Sequence, residues 1–70
     1  MRKVRILTIP EPGGSEQPQE LGQLVENNGQ IVGTTPAAED ILGPDSGQRQ
    51  AKFDRYHRGW SNGYVETLAA

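Results

Sequence analysis

Polar and apolar side chains alternate over residues 3–9, KVRILTI, placing Val4, Ile6 and Thr8 on one side of an extended chain and Arg5, Leu7 and Ile9 on the other. The branched side chains and the closing Pro10 favour a strand, and Leu7 and Ile9 beside Arg5 imply that both of its faces are partly covered. The pattern then lapses. Residues 10–20, PEPGGSEQPQE, carry three prolines, two glycines and nothing to bury, which predicts a loop, or an arm that orders against a partner. It resumes in GQLVENNGQIVG at 22–33, where Asn28-Gly29 suits a two-residue turn whose central positions both need positive φ. Such a hairpin pairs Asn27 with Gln30 and Val25 with Val32.

A helical period follows. Thr35 is placed to cap a short helix over about 35–42, with Pro36 at its first position, Glu39 and Asp40 in the early turns, and Ile41 and Leu42 on the buried side. Gly43-Pro44 ends it. Asp45 or Ser46 then caps a second helix over about 46–58, in which Phe53, Tyr56 and Trp60 share one face with Arg49 at its edge. Lys52, Arg55 and Arg58 form a basic arc beside that face, Asp54 can pair with Arg58 four residues on, and Gly59 is the expected stop. A second Asn-Gly turn at 62–63 precedes Tyr64, Val65, Thr67 and Leu68, a final strand returning beside the first or at an edge. The order strand, hairpin, helix, helix, strand predicts a single α+β domain: a three- to four-stranded antiparallel sheet with both helices on one face. The alternative makes 46–58 extended and closes the chain into a small all-β barrel.

Composition limits what such a domain can hold. Of 70 residues only 33% are hydrophobic, and there is no cysteine and a single histidine, His57. A core this small contributes ~3–5 kcal/mol without a staple, and neither a disulfide nor a thiolate or histidine-rich metal site is available. Association with a partner or with copies of itself is therefore expected to compete with autonomous folding. No apolar run nears the ~20 residues that span a bilayer, and the N-terminal apolar stretch is too short for a secretory signal. The expectation is a soluble intracellular protein with no membrane partner. The net charge is −2, but its distribution is uneven. Arg2, Lys3 and Arg5 cluster at one end and Arg49, Lys52, Arg55 and Arg58 at the other, while the seven charged residues between them are all acidic. These blocks can neutralise one another inside the fold or complement a neighbouring copy.

Catalytic and cofactor chemistry finds little purchase. Asp54, His57 and Ser61 stand close in sequence, yet a nucleophile also needs an oxyanion site and a walled pocket. Glu39 and Asp40 point to different sides of a helix, calcium-loop spacing is absent, and the glycines fit neither phosphate-loop nor dinucleotide patterns. No catalytic, cofactor or metal residue is assigned, and the chain is expected not to be an enzyme. The stretch 49–64 remains, holding all four aromatic residues. Its aromatic stripe is read first as core, with Lys52, Arg55, Tyr56, Arg58, Trp60 and Tyr64 as the candidate partner-binding set. They suit a protein anchor cluster or, alternatively, phosphate contact and base stacking on a nucleic acid.

The segments NNGQIVGTTPAAEDILGP and GWSNGYVE resemble small proteins of uncharacterised role from actinobacteria and their tailed bacteriophages. The resemblance spans most of the chain and transfers no site residue. The thin core and the 49–64 stretch point to a non-enzymatic interaction or assembly module; the resemblance implies its setting, either a capsid or connector component of a virion or an early regulatory protein of the host cytoplasm that binds nucleic acid or a host factor.

Overall fold

A computed structural model describes all residues 1–70. Five antiparallel strands form one open sheet: β1 Arg2–Thr8, β2 Glu20–Asn27, β3 Gln30–Gly33, β4 Trp60–Ser61 and β5 Val65–Ala69, in the order β3-β2-β1-β5-β4. Two helices, α1 Pro36–Leu42 and α2 Arg49–His57, link β3 to β4, with a 3-10 turn at Ser46–Gln48 leading into α2. The fold is α+β, and the sheet does not close into a barrel. No helix is long and apolar enough to cross a membrane.

Local sequence accounts for most of these elements. Asn28 (φ 53°) and Gly29 (φ 80°) make the tight turn, and Asn27–Gln30 and Val25–Val32 pair as the turn chemistry requires. The Thr35 hydroxyl accepts from the Ala38 N–H at 3.1 Å, with Pro36 in the first turn of α1. Asp45 accepts from the Gly47 N–H at 2.9 Å and starts the 3-10 turn. Residues 11–20 are exposed, and Thr8 and Gln19 close the base of the connecting loop with two hydrogen bonds of 2.8 and 2.9 Å.

Two expectations need correction. The sheet has five strands, because α2 stops before Gly59 (φ +100°) and Trp60 pairs with Thr67 as an edge strand rather than extending the helical stripe. Asp54 does not pair with Arg58; it binds Arg2 of β1 and Gln50 of α2, each at 3.1 Å. In a two-layer fold the helix face carrying Asp54 meets the end of β1, and a cross-layer partner wins over one on the same helix.

The core lies between the helices and one sheet face. Val4, Ile6, Leu24 and Ile31 from the strands meet Ala38, Leu42, Phe53 and Tyr56 from the helices, with Ile41, Leu21, Trp60 and Val65 packed around them. Thr67 is the one polar residue buried with this core. Its hydroxyl donates to the Tyr56 carbonyl at 2.8 Å and accepts from the Trp60 N–H at 2.9 Å, tying the end of α2 to β4 and β5.

Candidate interaction site

The structure divides the candidate set in the 49–64 stretch. Tyr56 is buried against the core and its hydroxyl donates to the Ile41 carbonyl at 3.1 Å, so its ring presents nothing to an incoming molecule. Lys52 reaches back to α1, donating to the Leu42 carbonyl at 3.0 Å, where a cation satisfies an open helix C-terminus. Trp60 is half-buried and packs on Tyr56 with ring centroids 5.3 Å apart. Only Arg55, Arg58 and Tyr64 stand free, with Tyr64 80% exposed. The stretch is therefore mainly a structural clamp with three exposed members, because a sheet so poor in apolar residues needs its aromatic rings for the interior.

The residues weighed for hydrolytic chemistry are separated by their bonds. Asp54 is engaged by Arg2 and Gln50, His57 stacks on Phe53 at 5.9 Å, and the Ser61 hydroxyl accepts from the Gly63 N–H at 3.1 Å. Much of the segregated charge is neutralised within the chain. Arg2 bonds Glu26 through Nε at 3.0 Å and through a second guanidinium nitrogen, and it lies 5.0 Å over the Phe53 ring. That guanidinium, helped by the Gln50 amide, holds the Glu26 carboxyl down at about 2, from an ordinary 4.5. Arg5 bonds Glu20 at 2.9 Å.

The two sheet edges are blunted in different ways. At β3, Ile31 and Gly33 occupy positions whose backbone groups point away from β2. The Ile31 carbonyl accepts from Arg49 at 3.0 Å, the Gly33 N–H donates to Glu39 at 2.8 Å, and Arg49 and Glu39 pair with each other at 2.8 Å. Arg49 first, and then the Gly33 amide, hold the Glu39 carboxyl below its usual range. An ion pair thus plugs the edge that another strand would extend. A groove of about 360 Å³ runs along this latch between β3 and the start of α2. At the opposite edge β4 is only two residues long, too short to template a further strand.

What stays open is the sheet face away from the helices. Strand alternation places Lys3, Arg5 and Leu7 of β1 there, together with Gln23 and Val25 of β2, Val32 of β3, and Glu66 and Leu68 of β5. Val32 and Leu68 are 47% and 44% exposed, and Leu7 is buried yet lies outside the helix-side core. Apolar residues on both sides of β1 are legible in the sequence, but this face as a surface is not, because it depends on the register of four strands. No protein family, curated protein or solved structure matches this chain.

Proposed function

We propose that this protein is a non-enzymatic interaction or assembly module that docks through the open face of its sheet. The observation that carries the reading is the set of apolar side chains Val25, Val32 and Leu68, wholly or partly exposed on a face no helix covers. Both sheet edges are blunted, so partner contact by strand addition is disfavoured and contact through side chains on this face is favoured. A small core that gains from burial against a second surface fits an assembly component, including one of a bacteriophage virion. Nucleic-acid contact through the 49–64 stretch has less behind it, since Lys52 and Tyr56 are spent inside the fold and Arg55 and Arg58 are the free cations left there.

A photo-crosslinking amino acid placed at Val32 or Leu68, and for comparison at Ala37 on exposed α1, tests this. Cross-links to protein, whether to a second copy or to another chain, form from the sheet positions and not from Ala37. Equal yields from both sides, or none from the sheet, would refute the reading.

A further inference from the structure

We propose that the occupant of the open face is a second copy of this chain, packed sheet to sheet with its β1 running in the opposite direction; this rests on the docking reading above. Charge is segregated along β1 on this face. At one end of the face stands Lys3, with no salt bridge. Four residues on, ~13 Å away at strand spacing, Leu7 is flanked by Glu20 on β2 and Glu66 on β5. Glu66 has no salt bridge either. One end is cationic and the other anionic, and the middle row holds Arg5 beside Leu68.

A two-fold axis lying in the interface and crossing β1 at Arg5 exchanges the two ends. Lys3 of each copy then stands over Leu7 of the other, between Glu20 and Glu66, Val25 stands over Glu20, and Leu68 meets Leu68. Arg5 meets Arg5 on the axis, each guanidinium held by Glu20 of its own chain at 2.9 Å, which leaves Glu66 as the unpaired carboxylate for Lys3. The other face-to-face symmetry, with the axis along β1, lays Lys3 on Lys3 and Glu66 over Glu20. Like charges would then meet at both ends, so only the reversed arrangement is complementary. Aligned sheet packing at about −30° accommodates it. A face of roughly 20 by 20 Å buries about 800–1,000 Å² over both copies, at the low end for specific interfaces. The dimer is accordingly weak and reversible.

Sedimentation of wild type, Lys3→Glu, Glu66→Lys and an equimolar mixture of the two variants, from about 5 to about 500 μM, tests the pairing across a range suited to a weak dimer. Wild type rises from 7.6 kDa towards twice that mass. Each variant alone dimerises at least ~10-fold more weakly, because like charges meet at both ends. The mixture recovers the wild-type dimer, since in the mixed pair each Lys then faces a Glu at both ends. Both substitutions fall on residues without salt bridges, and circular dichroism confirms that the variants are folded. A dimer insensitive to both substitutions, or a mixture no heavier than its parts, overturns this proposal. If wild type stays monomeric while the Leu68 cross-linker captures another protein, self-pairing is overturned and the docking reading stands. If it stays monomeric and nothing is captured, both fall.

Discussion

Replacing Arg49 with Met removes the guanidinium that closes the β3 edge while keeping much of the aliphatic stem. Three hydrogen bonds are lost, to the Ile31 carbonyl at 3.0 Å, to the Glu39 carboxylate at 2.8 Å and a long one to the Gly43 carbonyl at 3.5 Å. Bonds to charged groups contribute ~1.5–3 kcal/mol where they are shielded from water. Arg49 is 24% exposed and Glu39 39% exposed, so the freed carboxylate rehydrates and its share falls to ~0–1 kcal/mol. The Ile31 carbonyl contributes about 1 kcal/mol more. The expected loss is ~1–2 kcal/mol from a domain of this size whose total is about 4–10 kcal/mol. With a urea slope near 1 kcal/mol/M, the unfolding midpoint falls by ~1–2 M. Arg55→Met is the matched control, because Arg55 is exposed and takes part in no salt bridge, and it stays within about 0.5 kcal/mol of wild type. Hydrogen exchange at the Gly33 amide, held by Glu39 at 2.8 Å, accelerates in Arg49→Met alone. An unchanged midpoint, or an equal drop in the control, would refute the idea that this pair secures the edge.

Three further outcomes follow from the packing. Gly33→Ala sets a new Cβ 2.6 Å from the Glu39 nitrogen and 2.8 Å from the Ala38 carbonyl carbon, so α1 must shift; a loss of ~1–3 kcal/mol in urea unfolding is expected. Thr67→Val keeps the shape but leaves the Trp60 N–H without its side-chain acceptor, costing ~1–3 kcal/mol and shifting Trp60 fluorescence towards that of exposed indole. The Glu26 carboxyl is depressed in the folded state, so its contribution is complete above pH 4.5 and disappears as the pH falls towards about 2. Glu39, also depressed, acts in the same direction. An acid titration of stability declines through that window, and Glu26→Gln makes the decline shallower; an identical acid slope would count against the Arg2–Glu26 bond.

Features whose causes lie within a few residues were legible in the chain. The Asn28-Gly29 turn needs only its own positive φ, and that turn fixed the register of the whole β2–β3 hairpin. The Thr35 cap and the Gly43 and Gly59 stops are equally local, which is why both helices fell close to their predicted bounds. The fate of the 49–64 side chains was less legible. A helical stripe does not say whether its rings meet a sheet or a partner, and Lys52 and Tyr56 found their acceptors on α1, ten and fifteen residues back.

The sequence by itself determined most of the secondary elements, short β4 excepted, the α+β class and the meagreness of the apolar supply, because these depend on short-range sterics and on counting. The tertiary structure decided which charges are spent and which remain. Arg2 reaches Glu26 and Asp54 only because β1 lies between β2 and β5 under α2. The same strand order sets Lys3 and Glu66 at opposite ends of one uncovered face. Pairing across a sheet joins residues more than sixty positions apart, and no local pattern encodes which strands will be neighbours.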